Sequence, residues 1–249
     1  MDARRKAGHD SGWSKAVAEI NVMSAGAVKS MVAALGAEFE RETGNKLNLN
    51  FNTAGATSDR VKNGEITDIV ILSESLIAGL DKLGFLASST ITDLGRTVTG
   101  VIVKDGAAVP DISTPAAFKQ ALLDARTVAY TDPKAGGSGG IMFAGLLEKL
   151  DIADTVNKKA VLCKGGYDVA GALADGRAEF GTTFISEALP VPGVKVIGPL
   201  PGDLHYTNGY TAAIHGHAAN PAAAAALLRF LTNPAYRGRW VAAGLEPAF

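Results

Sequence analysis

Cysteine occurs once in the 249 residues, at Cys163, which excludes an internal disulfide framework and a cysteine-rich metal site and leaves a small core residue as its reading. Neither sign of charge is in excess. Lysine and arginine number 24 against 25 acidic residues, a formal net charge of −1, so the chain lacks the electrostatic footprint of a nucleic-acid binder or of a protein held on an anionic membrane. No apolar segment approaches the ~20 residues needed to cross a bilayer. The opening MDARRKAGHDSGWSKAVAEI has basic residues but no apolar run of ~7–15 residues to serve as the core of a secretory signal, so a cytoplasmic protein is expected. Tandem repeats and low-complexity linkers are absent as well. With 47% hydrophobic and 20% charged residues, what remains is a compact chain with a sizeable core whose partner is a small molecule, with neither nucleic acid nor membrane as partner.

Short β-branched runs alternate with longer helical ones, an α/β pattern. EINVMSAG reads as strand and turn, and VKSMVAALGAEFERETG as an amphipathic helix with Val28, Met31, Val32, Leu35 and Phe39 on one face and Gly44 as its stop. KLNLNFNTAG, the short helix TSDRVKNG, the strand TDIVILS and the helix SLIAGLDKLGFL follow; TDIVILS is apolar through its middle, as a strand buried on both faces should be. The middle repeats the arrangement: RTVTGVIVK, then STPAAFKQALLD with Ser113 or Thr114 as cap and Pro115 at its start, TVAYTDP, a glycine loop and IMFAGLLEKL. KAVLCKGG, DVAGALADGRA and EFGTTFISEAL supply strand, helix and strand. PLPGDLHYTNGYTAAIH is β-prone, and helices around PAAAAALLRFLTNP and AYRGRWVAAG close the chain.

Open parallel sheets bind ligands at the carboxyl ends of their strands. Here those ends are small and hydroxyl-bearing: Ser24, Ala25, Gly26 and Ala27; Thr53, Ala54 and Gly55; Ser73. The loop DPKAGGSGG is the most exposed backbone of the set. It is no P-loop, since Lys134 precedes the glycines, and no G-x-G-x-x-G, since Met142 stands where the third glycine should be. No nucleotide cofactor is therefore expected. Gly137, Ser138 and Gly139 instead let an anion approach the free N–H groups of a helix N-terminus, or else form a flexible strand-to-helix turn.

INVMSAGAVKSMVAALGAEFERETG, LNLNFNTAGATSDRVKNGEITDIVILSES, VAYTDPKAGGSGGIMFAGLLEKL and GRAEFGTTFISEALPVPGVKVIGPLP together resemble the successive segments of type II periplasmic solute-binding proteins of the molybdate-binding class. The resemblance runs from Ile20 to Phe249. It implies an α/β, type II periplasmic-binding-protein fold: two α/β lobes with a ligand cleft between them. Residues 1–19 would be an N-terminal extension, 20–96 with 207–249 the first lobe, and 97–206 the second. Departures from the class speak against molybdate. Ala27 stands where those proteins have a serine, Thr53, Ala54 and Gly55 where they have a serine cluster, and Phe184, next to Thr183, where a tyrosine reaches the oxoanion. Each buried acceptor left without a donor costs ~1–3 kcal/mol, so a larger, partly apolar carboxylate suits the site better.

SAGAVKS, NTAGATSDR and ISEALPVPGV are also similar to a subgroup of this fold that includes aconitate isomerase. That resemblance implies an isomerase or tautomerase of a small unsaturated (poly)carboxylate, acting by proton transfer without cofactor or metal. The alternative is a non-catalytic solute-binding protein that hands an organic anion or a molybdate-like oxoanion to an importer, with a permease as partner. Isomerisation needs anion clamps, which the sequence has, and a positioned acid/base group. Lys29, in the first turn of a helix where a cation opposes the dipole, Lys134, His205, Tyr206 and Tyr210 are the candidates, each with a structural alternative. Glu187 reads as the cap of the helix after GTTFIS, His215 and His217 as surface residues, and Asp59 and Arg60 as a solvated helix face.

Overall fold

The computed structural model describes residues 17–249, so the expected N-terminal extension 1–19, and the expectation of location drawn from it, fall almost wholly outside the described residues. The chain runs β1 (Glu19–Ala25), a 3₁₀ turn (Gly26–Val28) leading into α1 (Lys29–Thr43), β2 (Lys46–Asn52), α2 (Ala54–Lys62), β3 (Ile69–Ser73) and α3 (Glu74–Lys82). β4 (Thr92–Lys104), α4 (Pro115–Asp124), β5 (Val128–Thr131), α5 (Ser138–Lys149), α6 (Ala153–Asn157) and β6 (Ala160–Cys163) follow. α7 (Gly166–Ala174), β7 (Phe180–Phe184), α8 (Ile185–Ala188), β8 (Val194–Pro199), β9 (Thr207–Ile214), α9 (Pro221–Leu231), α10 (Arg237–Ala242) and β10 (Glu246–Pro247) complete it.

Strands lie in the order β2-β1-β3-β9-β4-β7-β5-β6, with β8 and β10 also paired to β4. β4 is the hinge of this path. Its first half, Thr92 to Val98, pairs with β9 and β10, and its second half, Thr99 to Lys104, with β7 and β8. The chain recrosses beside it, where the Thr99 N–H donates to the Tyr206 carbonyl at 2.9 Å. Two lobes result, each with its own core. Ile20, Val22, Leu35, Phe39, Ile71, Leu227 and Trp240 fill the first. In the second, Val101, Phe118, Val128 and Phe143 pack on one face of the sheet and Ile102, Ala129, Val169 and Leu173 on the other. The neighbours Val101 and Ile102, like Val128 and Ala129, thus point to opposite faces, as the two-residue strand period requires.

Local signals behave as their chemistry dictates. Gly44, at φ 77°, ends α1 in the left-handed conformation. Thr114 caps α4 by accepting the Ala117 N–H at 3.1 Å, with Pro115 at the first helical position. β3 is buried at every residue. Cys163 is buried, which raises its thiol pKa. The β-prone run after β8 is strand only from Thr207, because Gly202–Leu204 form a 3₁₀ turn first. His215 is not a surface residue: it is 4% exposed. Its backbone continues the sheet one step past β9, bridging Leu86, and its Nδ1 accepts the His217 N–H at 3.1 Å; burial, then His217, lowers its pKa.

Candidate functional site

β1, β2, β5, β6 and β7 all end on the same side, and the turn or helix that follows each opens toward one cavity of about 260 Å³ between the lobes. That is close to the lower limit for small-molecule pockets, ~300–1,000 Å³, and fits a ligand of a few carbon atoms. Ala25 precedes the first of these starts and Gly137 precedes α5, and neither offers a side-chain cap to the N–H groups of the turn that follows. Unpaired N–H groups and a partial positive charge at each helix start favour an anion between them. A larger groove of about 640 Å³ lies elsewhere on the second lobe, around Val103, Pro110 and Phe180, at the opposite end of β7 from these helix starts.

Contacts across the cleft fix the two lobes against each other. Thr53, which caps α2 by accepting the Ala56 N–H, donates its hydroxyl to the Ala135 carbonyl, and the Gly55 N–H donates to the Gly136 carbonyl at 2.9 Å. A Cβ at position 55 would stand 2.7 Å from that Gly136 oxygen, so the approach needs glycine. Asn208, on the recrossing strand, donates to the Ser138 hydroxyl at 3.1 Å.

The rest of the wall is aromatic. Phe51, Tyr167, Phe184 and Tyr210 line the cavity; Phe184 meets Tyr210 edge-on at 6.2 Å and stacks on Tyr206 at 6.5 Å. The Lys29 ammonium lies 5.7 Å from the Phe51 ring centre and 4.9 Å from that of Tyr167, one ring from each lobe. Such cation–π contacts are worth ~0.5–1 kcal/mol at exposed sites, enough to offset the cost of a cation at the start of α1. Lys164 lines the same cavity from the turn before α7.

Glu187 stands in this wall, 8% exposed. Glu187 is the third residue of α8, and its carboxylate lies near the N–H of Phe184, the residue before the helix, where a cap would reach. The same carboxylate accepts the Thr183 hydroxyl at 3.0 Å and lies near the N–H of Gly166, the first residue of α7. The seat exists because two neighbours lack side chains: a Cβ on Gly166 would lie 2.0 Å from Oε2, and one on Gly26 would lie 2.9 Å from Oε1. Burial outweighs these donors and, with Asp168 nearby, raises the Glu187 pKa from 4.5 to about 7. Burial and the Glu187 charge in turn push the Tyr167 phenol up to about 12 and raise that of Tyr210.

Of the residues singled out from sequence, Ala25, Gly26, Ala27, Lys29, Thr53, Ala54, Gly137, Ser138, Gly139, Thr183, Phe184 and Tyr210 line the cavity. Ser24 lies beneath it, its hydroxyl bonded to the Ala25 carbonyl at 3.0 Å, and Gly55 stands behind the wall against Gly136. Ser73 is buried outside the cavity, Lys134 and His205 are exposed away from it, and Tyr206 backs Phe184 without lining it. Phe51, Asn52, Thr131, the run Lys164–Asp168 and Thr182 are wall residues not singled out from sequence, and Glu187, read there as a helix cap, joins them. For Gly165 and Gly166 the signal was present, a glycine pair between strand and helix like the longer loop before α5. Among the described residues no three His, Cys, Asp or Glu side chains gather as metal ligands would.

The chain is 29% identical to an aconitate isomerase of a Pseudomonas species, over 93% of this chain and 88% of that one. To the molybdate-binding protein ModA of Escherichia coli K12 it is 25% identical, over 87% of this chain and 84% of that one. The solved periplasmic molybdate-binding protein of Azotobacter vinelandii superposes with a TM-score of 0.72 at 19% identity, covering 91% of this chain and 98% of that one, which shows the fold. Residues 20–246 match the model of the bacterial extracellular solute-binding protein family, and the chain belongs to that family.

Proposed function

We propose that this protein binds a small unsaturated carboxylate with two or more acid groups in the interlobe cleft and isomerises it by moving a proton, without a cofactor. The observation that carries this reading is the make-up of the wall: helix N-termini and two lysines that suit carboxylates, beside the apolar rings of Phe51, Tyr167 and Phe184 that suit a carbon skeleton. A tetrahedral oxoanion gives up its hydration only for a full set of donors, and Ala27 and Phe184 supply none from their side chains. The similarity to an aconitate isomerase supports the same substrate class. In this reading the protein works in the cytoplasm, which cell fractionation decides.

The family's description and the similarity to a molybdate-binding protein favour a second reading, a binding protein that delivers its anion to an importer's permease. Ligand-induced stabilisation separates the substrate classes, since a ligand that binds only the native state raises the melting temperature by mass action. Aconitate and other di- and tricarboxylates are expected to raise it more than molybdate, tungstate or sulfate at equal concentration. Chromatography of the bound acid after incubation then separates the activities. A second isomer is expected; a larger shift with molybdate, or an acid recovered unchanged, supports the importer reading.

A further inference from the structure

The isomerase reading lacks an acid/base group that sequence could name, and several titratable side chains face the cavity. Lys29 is exposed and laid against two rings, Lys164 and Asp168 are exposed at the rim, and the Tyr167 and Tyr210 phenols, raised by burial and by Glu187, hold their protons at neutral pH. Glu187 differs from all of them. It is the buried carboxyl of the wall, it accepts the Thr183 hydroxyl at 3.0 Å, and Gly26 and Gly166 close on either side of it. Oε1 faces Gly26 of the first lobe and Oε2 faces Gly166 of the second, so the carboxyl sits where the two lobes' anion-binding turns meet.

We propose, on the basis of the isomerase reading, that Glu187 is the group that takes the proton from the bound acid and returns it at the other end of the allylic system. In the forward half-step a C–H bond of the substrate breaks, its electron pair passes into the conjugated carboxylate as a dienolate, and an O–H bond forms on Glu187. In the return half-step that O–H breaks and a new C–H forms two carbons away, leaving Glu187 ionised; no electron is gained or lost. The helix N-termini and Lys29 stabilise the charge that builds on the substrate carboxylate meanwhile. A base held out of water near neutral pKa is the arrangement that general acid–base catalysis favours, and the burial of Glu187 provides it.

A purely structural cap makes different claims, and exchange kinetics separate the two. cis- and trans-Aconitate serve as probes, in heavy water, with proton NMR following deuterium uptake and calorimetry following affinity, for the native protein, Glu187→Gln and Glu187→Asp. Glutamine keeps the accepting oxygen, so Glu187→Gln is expected to bind aconitate within a few-fold of the native protein yet lose exchange by ~10²–10⁴-fold. Glu187→Asp should restore part of the exchange. In the native protein the exchange rate should rise with pH and level off above about 7, as the carboxyl ionises. Exchange at the native rate in Glu187→Gln overturns the assignment and leaves the isomerase reading standing. Equal loss of affinity and exchange in both variants makes Glu187 a structural residue and also overturns it. A native protein that binds aconitate yet gives neither exchange nor a second isomer, or that binds neither isomer, overturns the isomerase reading and the assignment with it.

Discussion

Replacing Glu187 by glutamine changes how stability depends on pH, and the size of the change follows from the burial of that carboxyl. In the unfolded chain it titrates at its ordinary value of 4.5, in the fold at about 7. Between those values the folded protein holds a proton that the unfolded chain has lost, so stability falls as pH rises through the window. The contribution is fully present below 4.5 and gone above about 8. At ~1.4 kcal/mol per pH unit the whole window amounts to about 3 kcal/mol, a large share of the ~5–15 kcal/mol typical of a domain. Other groups titrate nearby. His215, whose pKa burial lowers, works in the opposite direction, losing stability as pH falls below 6.5, and ion-paired carboxylates such as Glu38 and Glu65 act below 4.5. These are common to both proteins and cancel in the difference. Urea unfolding of the native protein and of Glu187→Gln at half-unit steps from pH 4.5 to 8.5 gives that difference directly. The native protein should lose about 3 kcal/mol relative to the variant across the range, most steeply below 7. Parallel curves, within ~0.5 kcal/mol, would refute the claim that the fold holds this carboxyl out of water.

Gly166→Ala places a Cβ 2.0 Å from Oε2 of Glu187 and should displace the carboxyl, so the same pH series on that variant is expected to lose most of its slope. Gly139→Val crowds the Phe184 ring, 3.3 Å from the Cβ position, and blocks the start of α5; ligand affinity should fall at least ~10-fold by calorimetry while the melting temperature drops only slightly, and unchanged affinity would make the loop a turn only. Gly55→Ala meets the Gly136 carbonyl at 2.7 Å and should part the lobes; weaker binding with a larger radius of gyration in small-angle scattering is the expected result, and an unchanged radius counts against the contact as a latch.

Much of the clamp was legible because anion binding leaves a local mark. Small residues at a strand's end, followed by a helix, are visible in MSAGA, FNTAG and KAGGSGG without knowledge of the fold, and most of those residues do line the cavity. Lys29 was legible for a similar reason, as a cation at the wrong end of a helix. The rest depends on what lies opposite. A glutamate at the third helical position has a sufficient local explanation as a cap. The burial of Glu187 comes from Gly26 and Gly166, remote in sequence, which the lobes bring to either side of it. His215 misled in the same way, since nothing local reveals that the Leu86 segment bridges to it. Lys134 and His205 occupy promising loops, but their side chains are exposed outside the cavity. For the fold, long-period alternation of strand and helix sufficed, while the change of partners along β4 at Val98 and Thr99 is a property of the assembled sheet alone.

Whether the cleft performs chemistry or only holds its ligand is decided most directly by deuterium uptake into bound aconitate. The native protein, at a concentration high enough to register one turnover, is incubated with saturating aconitate in heavy water and the acid is followed by proton NMR. The account expects loss of an allylic proton signal together with appearance of the other isomer, and no such change in a protein-free control. Aconitate that binds by calorimetry yet shows neither deuterium uptake nor the other isomer would contradict it, leaving a binding protein whose partner is an importer.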